Sequence, residues 1–411
     1  MLCLRQFSSV ETLDTSDFSE LKSLRCILRI CHVCNGHSVD DGRVFHRACC
    51  TLAKAGYEVH LFAEGRGVTA YQEQGVIIHP LPKAESRWQR YARASRVAQL
   101  ASDLKPDLFH VHEPDLLGPV IARAGSRPVI FDVHETYLDQ LQGSHWIPHW
   151  IKPLVLFAWD RWERRCVRRC AAVVVTTKLQ GLRYSLFQDN VRLIANYPDL
   201  QWNDELPAIE RDGITCVFAG VLRPDRGISQ MLKALACLKS RGIYAPLALA
   251  GIPLSDRYLA ELWDEAKQLG VREQVVYHGV LSKKEALFFQ NKASIGLIAD
   301  LPDSVFRTML PTKLVECMSL GLPVVCSDLP VNREIGGESG AAILVNPTKP
   351  EEIADAIESL VRDPARAHRM GEAGMTAARD RFNWQAESKK LLNLYHQVIG
   401  APQFVSTSHQ A

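Results

Sequence analysis

Leu310-Pro311-Thr312-Lys313-Leu314-Val315-Glu316-Cys317-Met318-Ser319-Leu320-Gly321-Leu322-Pro323-Val324-Val325 reads as a short helix running straight into a buried strand. Pro311 suits the first helical position, where its missing N–H costs nothing, and Gly321 suits the C-terminal stop. Leu314, Val315 and Met318 would cover the core side. Lys313 and Glu316 are three apart and share one helix face. Spacing alone leaves two readings of that pair open. It is either a surface ion pair or part of a site in which Glu316 accepts both hydroxyls of a ribose.

Working outward, the same alternation of helix and apolar strand recurs on both sides. Strands are expected in the first half at 27–34, 58–63, 76–81, 108–112, 128–134, 171–177 and 191–195. Helical patterns fill most of the gaps, for example 42–55, 87–104 and 151–169. After Asn196-Tyr197-Pro198-Asp199 and a polar segment at 201–212, the pattern restarts. Its strands are expected at 214–219, 247–250, 274–278, 295–299, 323–327 and 341–345. Nearly all-apolar strands alternating with helices imply parallel sheets covered on both faces. The Pro- and Asp-rich break between the two sets marks a domain boundary. Two doubly wound α/β domains with a cleft between them follow, and ligands are expected beyond the carboxyl ends of the strands.

Length and composition agree with this. A chain of 411 residues exceeds one ordinary hydrophobic core. Lys and Arg number 48 against 46 Asp and Glu, so no global charge drives nucleic-acid binding. The twelve cysteines sit in apolar runs and read as reduced core residues. Cys31 and Cys34 form a CxxC, but inside an apparent strand and with no second pair to complete a metal site. No apolar stretch reaches the roughly 18 residues of a membrane span, and residues 1–24 read as a loose polar tail rather than a signal peptide. These features favour a cytoplasmic protein.

Within the second half, Val217-Phe218-Ala219-Gly220 ends a strand, and Val221-Leu222-Arg223-Pro224-Asp225-Arg226-Gly227 leads into a helix near Ile228. A glycine turn lets backbone approach a phosphate, and a helix N-terminus offers free N–H groups and a positive dipole end. Arg223 and Arg226 would add fork-shaped cations. The plain alternative is a solvated loop with two surface arginines.

Together these stretches resemble glycosyltransferase family 4. The 310–325 stretch looks like that family's donor-nucleotide motif, a PTK helix with a glutamate followed by GLPVV-x-SD. Asn196-Tyr197-Pro198-Asp199 resembles its interdomain crossover, and Phe131-Asp132-Val133-His134-Glu135 its N-domain histidine motif. Asp40-Asp41-Gly42-Arg43-Val44, with residues 52–59, is similar to its first helix and second strand. The likeness runs in the family's order from about Arg25 to Gly400.

The resemblance implies a GT-B fold of two Rossmann-like domains facing a central cleft. It implies an acceptor domain at 25–198, a nucleotide-sugar domain at 199–380, a C-terminal helix at 381–400 crossing back to the first domain, and a tail at 401–411. It also implies a hexosyltransferase-like enzyme that retains anomeric configuration and needs no metal or other cofactor. Carried over by position, Arg226 and Arg223 would hold the donor diphosphate and stabilise the leaving nucleotide, and Glu316 would bind ribose. Backbone at Val280 and Leu281 would pair with the base. Gly220, Gly251, Thr308, Leu310, Pro311, Thr312 and Lys313 would complete the donor side. Thr308 is a departure, since many members carry a glutamate there, eight positions before the ribose-binding one. That leaves the transferred sugar undefined and keeps a degenerate, non-catalytic nucleotide-sugar-binding or scaffold homologue as the alternative.

On the first domain, His134 ends the 128–133 strand and is expected at the transferred sugar, against the plain alternative of a structural histidine. His112, at the end of the neighbouring strand, is a weaker candidate. Gly36 lies in Asn35-Gly36-His37-Ser38, where the family often has a Gly-rich loop near acceptor and phosphate. Asp41 and Arg43 would either face the acceptor or cap and solvate the next helix. Residues 146–170 combine four tryptophans with Lys152, Arg161, Arg164, Arg165, Arg168 and Arg169. Such a segment either docks peripherally on an anionic membrane or is a helix with a basic solvent face. The expected partners are therefore a nucleotide-sugar and a glycan or lipid-linked acceptor, as in cell-surface polysaccharide synthesis, and no nucleic acid.

Overall fold

A computed structural model describes residues 27–144, 146–207, 213–302 and 309–400. Both proposed tails, Thr308 and most of the 303–310 loop lie outside the described residues. The fold is two parallel, doubly wound sheets. The first sheet comprises β1 (Arg29–Ser38), β2 (Glu58–Glu64), β3 (Tyr71–Glu73), β4 (Val76–Leu81), β5 (Leu108–Val111), β6 (Val129–Val133), β7 (Ala172–Val175) and β8 (Val191–Leu193). Their spatial order is β3-β4-β2-β1-β5-β6-β7-β8, parallel except for β3. The second sheet comprises β9 (Cys216–Ala219), β10 (Leu247–Ala250), β11 (Val275–Tyr277), β12 (Ile295–Ile298), β13 (Val324–Ser327) and β14 (Ala342–Val345). Its order is β11-β10-β9-β12-β13-β14. In each sheet the chain winds outward from one strand and then returns to that strand's other side. The switch points fall between β1 and β5 and between β9 and β12, where a crevice opens at the carboxyl ends.

Alternate residues of the buried strands feed two separate cores. Ile30, Leu108 and Ile130 pack with Phe45, Leu52, Trp384 and Leu394 on one face. Their neighbours Cys31, Phe109 and Phe131 pack with Val97, Leu116 and Val120 on the other. Each fully buried aliphatic side chain contributes about 1.5–3 kcal/mol, so a sheet buried on both faces needs strands with no polar side. The chain's last helix, Trp384–Ile399, covers the first sheet rather than the second. Trp384 Nε1 donates to Thr51 Oγ1 at 2.9 Å, Glu387 accepts from Ala195 N at 2.8 Å, and the Trp384 N–H donates to Pro198 O at 2.9 Å. The two passes of chain between the sheets therefore run side by side.

Several boundaries depart from the sequence reading. β1 continues through Asn35–Ser38, expected as loop, because Ser38 pairs with Glu64 after a register shift. The sequence reading missed β3, a three-residue strand that hairpins onto β4 through Gln74 and Gly75, both at positive φ. The 42–55 helix is π-wound over Val44–Cys49 before becoming α-helical at Cys50–Lys54. Pro311 sits one position earlier than expected, capping a helix that begins at Thr312, while Gly321 ends it at φ +68.

Candidate active site

Three adjoining cavities lie along the crevice. A central cavity of about 190 Å³ is lined by Arg43 and His134 from the first sheet's side and by Arg226, Asp300 and the 310–313 turn from the second. A second, about 310 Å³, is lined by Gly220, Gly251, Val280, Leu281 and Glu316 and shares Thr312 and Lys313 with the central one. A third, about 390 Å³, contains Gly36, His37, Arg90, His112 and Glu113 and shares His134 with the central one. His134 thus stands between the first domain's hollow and the cleft, and Lys313 between the cleft and the second domain's hollow.

The second domain's hollow exists because its floor is bare backbone. Gly220 is at φ +155, and a Cβ there would lie 2.0 Å from Lys313 Cε. Gly251 is at φ +128, and its Cβ would lie 1.9 Å from Gly220 O. No other residue type fits either position. Lys313 and Glu316 form no ion pair with each other among the described residues, so the surface-pair reading of that spacing fails. Lys313 instead lies against Gly220, where burial, and then the charge of Arg226, press its ammonium's pKa downward.

Arg226 ends a 3₁₀ turn, Pro224–Arg226, and precedes Gly227, whose left-handed conformation (φ +66) starts the Ile228–Ser240 helix. Its Nη1 lies 3.1 Å from Oδ1 of Asp300, at the end of β12. Burial raises the Asp300 carboxyl's pKa against the pull of Arg226. Arg223 does not join it. Its guanidinium grips Asp225 and it lines none of the three cavities, because the extended backbone at Arg223 (φ −138) sends the side chain away from the turn that aims Arg226.

On the first domain, Asp41 caps the following helix, accepting from the Arg43 and Val44 N–H groups at 2.8 Å each. Arg43 is neither solvated nor free to bind an acceptor. It is buried, with Nη2 2.7 Å from Asp132 Oδ1 and Nη1 donating to Ile194 O at 3.1 Å. Burial opposes the Asp132 charge, but the Arg43 guanidinium outweighs it and holds that carboxyl at about 2. The Asn35–His37 end of β1 is not an open anion cradle. Its three N–H groups already donate to the buried carboxylate of Glu113 at 2.9, 2.8 and 3.1 Å. His37 Nδ1 lies 2.6 Å from the same carboxylate, which overcomes burial and raises His37 to about 9. Sequence reading missed His37, Asp132 and Asp300 as site residues, along with a buried row of imidazoles. Alternate positions of three strands carry the signal: His32 in β1, His110 and His112 at the end of β5, and Asp132 and His134 at the end of β6. All project to the face that otherwise holds Ile30, Leu108 and Ile130.

Among the described residues, three groups bring metal-ligating atoms within 4.8 Å of one another: His32, His110 and His112; Cys34, His37 and Glu113; and His112, Asp132 and His134. The His110 and His112 rings are stacked 4.7 Å apart at 6°, so their in-plane lone pairs run parallel instead of converging. The described cysteines are free, nearly all of them buried.

Two switch-point crevices facing one cleft, with a histidine on one wall and an arginine at a helix start on the other, define a GT-B glycosyltransferase. Residues 42–199 match the family described as Glycosyltransferase Family 4, and residues 203–376 match Glycosyl transferases group 1. The chain belongs to glycosyltransferase family 4. It is 24% identical over 250 residues to an alpha-D-kanosaminyltransferase of Streptomyces kanamyceticus, covering 57% of this chain and 63% of that relative. It is also 24% identical to a phosphatidyl-myo-inositol mannosyltransferase of Mycobacterium leprae, over 74% of this chain and 77% of the relative. Among solved structures, sucrose-phosphate synthase from Thermosynechococcus elongatus superposes with a TM-score of 0.73 at 16% identity, over 90% of this chain and 99% of the other. That likeness is one of fold.

Proposed function

We propose that this chain is a retaining glycosyltransferase that moves a sugar from a nucleotide donor to a glycan or lipid-linked acceptor. The observation that carries this reading is the single cavity bordered by His134 on one side and by Arg226 and Lys313 on the other. The nucleotide would occupy the adjoining hollow, with its base at the Val280–Leu281 backbone and its ribose on Glu316. Its diphosphate would then point at Arg226 and Lys313, and the sugar at His134. An acceptor entering from the His37–Glu113 hollow would reach the same face of the sugar that the phosphate leaves. Its oxygen bonds to the anomeric carbon as the carbon–phosphate-oxygen bond breaks, and its proton passes to the departing phosphate. Arg226 and Lys313 supply the positive charge that a metal would otherwise provide, so the reaction is proposed to need none.

The first test is a thermal-shift panel of UDP, GDP and ADP with their sugars. A nucleotide at about 100 times its dissociation constant stabilises the folded state by roughly 2.7 kcal/mol, a shift of several degrees. One base is expected to produce that shift, and Glu316→Ala to abolish it. No shift at saturating concentration would sink the donor-site reading. Selective binding without turnover on any acceptor would instead favour the degenerate homologue that Thr308 raises.

Peripheral membrane contact belongs to the same reading. No helix among the described residues is long and apolar enough to cross a membrane. Trp159 and Trp162 turn inward, one stacking on Tyr137 and the other packing at Gly118. Trp150, Leu154 and Phe157, however, form an outward stripe at 84%, 68% and 63% exposure, with Arg161 over Phe157 continuing it. Outward aromatics beside cations suit an anionic lipid surface. Trp150→Ala with Phe157→Ala is expected to weaken sedimentation with phosphatidylglycerol vesicles by about tenfold, losing roughly 1.4 kcal/mol of buried apolar area. Equal recovery of both proteins with the vesicles would reject the contact.

A further inference from the structure

The first domain buries a continuous run of hydrogen-bonded rings that ends at the cleft. It starts on the chain's last helix, where Tyr395 Oη lies 2.6 Å from His110 Nδ1 and 3.2 Å from His32 Nε2. From His32 the run goes on, Nδ1 to His112 Nε2 at 2.9 Å, and His112 Nδ1 to His134 Nε2 at 3.0 Å. His32, His110 and Tyr395 are fully buried and His112 almost so, whereas His134 reaches the cavities.

Burial keeps His32, His110, His112 and His134 neutral at pH 7, the last aided by the charges of His37 and Arg43. A neutral imidazole has one N–H and one lone pair, and the hydrogen bond at one nitrogen decides the state of the other. The Tyr395 hydroxyl has one proton, so it donates to one histidine and accepts from the other. The whole run therefore has only two self-consistent arrangements. In the first, Tyr395 donates to His110 and accepts from His32 Nε2–H, His112 Nε2–H donates to His32, and His134 Nε2–H donates to His112. In the second, every proton is reversed and His134 carries its proton on Nδ1.

The ionised Asp132 carboxylate separates the two. Its Oδ2 lies 3.7 Å from His110 Nε2, 3.6 Å from His112 Nδ1 and 3.8 Å from His134 Nε2. His110 Nε2 is buried and has no hydrogen-bond partner among the described residues, so the carboxylate is the charge it answers to. In the first arrangement, two N–H groups and one lone pair face that charge. In the second, one N–H and two lone pairs do. Arg43 anchors both oxygens of the carboxylate, Nη2 donating to Oδ1 at 2.7 Å and Nε to Oδ2 at 3.1 Å, which fixes its place.

We propose that Asp132 and Tyr395, acting through the buried rings of His110, His32 and His112, hold His134 as its Nε2–H tautomer and leave Nδ1 as the acceptor nitrogen of this cleft residue. Tyr395 is then a positioning residue for transfer, although it lies on the chain's last helix and lines none of the three cavities. The consequence for transfer rests on the function proposed above; the tautomer does not.

The test is a long-range proton–nitrogen NMR spectrum of the full chain labelled with ¹⁵N-histidine, with His134 assigned from a His134→Gln variant. The expected result is a pyrrole-type Nε2 and a pyridine-type Nδ1 at His134 in the unliganded protein. The reverse pattern would overturn the proposal. Tyr395→Phe keeps the ring and removes the linking hydroxyl, so both tautomers of His134 should appear and kcat should fall by about twofold, in step with the fraction of rings that lose the Nε2–H form. A single unchanged tautomer in Tyr395→Phe would overturn the relay, whatever the rate does. Tyr57→Phe removes a hydroxyl that donates to Gly400 O beside the same helix, and it should change neither spectrum nor rate. The wild-type spectrum needs no substrate and no variant to fold beyond the assignment, so it decides the tautomer even if the transfer assay fails.

Discussion

Arg226→Ala is expected to lower kcat for sugar transfer by about 10²- to 10³-fold in a protein that remains folded. The leaving diphosphate gains charge as the bond to the sugar breaks, and a fixed cation already aimed at that point needs no reorganisation. Such a donor is worth roughly 3 kcal/mol of transition-state stabilisation. Arg226 is held for that role on three sides: by the 3₁₀ turn that ends on it, by Gly227, whose Cβ would meet Ala299 O at 2.0 Å, and by Asp300. The truncation also strands the Asp300 carboxylate, which burial already pushes toward the neutral form. Asp300 would then take a proton or turn to the nearby Lys313, so some loss of stability is expected beside the loss of rate. Arg226→Lys separates the two effects. It keeps a charge beside Asp300 but loses the fork, and it should recover most of the stability and only part of the rate. An unchanged kcat in folded Arg226→Ala would remove the arginine from the mechanism. Arg223→Ala should cost far less, because that side chain is engaged with Asp225 outside the cavities.

The second large effect is an acid sensitivity of the first domain. His110 and His134 are pushed by burial to about 4, and His32 and His112 lie well below their ordinary value. In the unfolded chain all four take a proton near pH 6.5. Below that pH the unfolded state binds more protons than the native one, so stability falls as pH falls. Each imidazole contributes about 1.4 kcal/mol per pH unit, or roughly 2 kcal/mol by pH 5. Four together should lower the melting temperature by about 15 °C or more between pH 7 and pH 5. His37 works in the opposite sense. Raised to about 9, it adds stability that is complete below pH 6.5 and is lost as pH climbs through 9. Stability should therefore peak near pH 7, where the four lowered imidazoles and the one raised balance, as a calorimetric series from pH 5 to 9 would show. A melting temperature flat from pH 7 to 5 would mean that the rings are already charged, or are hydrated in the native state.

Nearly all-apolar strands separated by helical patterns were enough, in the sequence alone, to specify two doubly wound sheets, because a strand buried on both faces has no polar side to show. The same local logic singled out Gly220, Arg226, Lys313 and Glu316 while leaving a plain structural alternative open, and the family resemblance was needed to point to Gly251 and His134, each of them at a strand end or helix start. It failed where a residue's partner is remote. Arg43 looked like a helix-start cation until folding set it against Asp132, 89 residues away. Arg223 and Arg226 looked equivalent until a turn of backbone sent one to Asp225 and the other to Asp300, 74 residues on. Tyr395 gave no local sign of touching His32, 363 residues earlier, because nothing in either segment records which face of the sheet the last helix will cover. Periodicity and turn chemistry are properties of neighbours along the chain, and they determined the elements and their order. Charge pairing, ring contacts and cavity depend on which strand ends meet in space, and only the tertiary structure decided those.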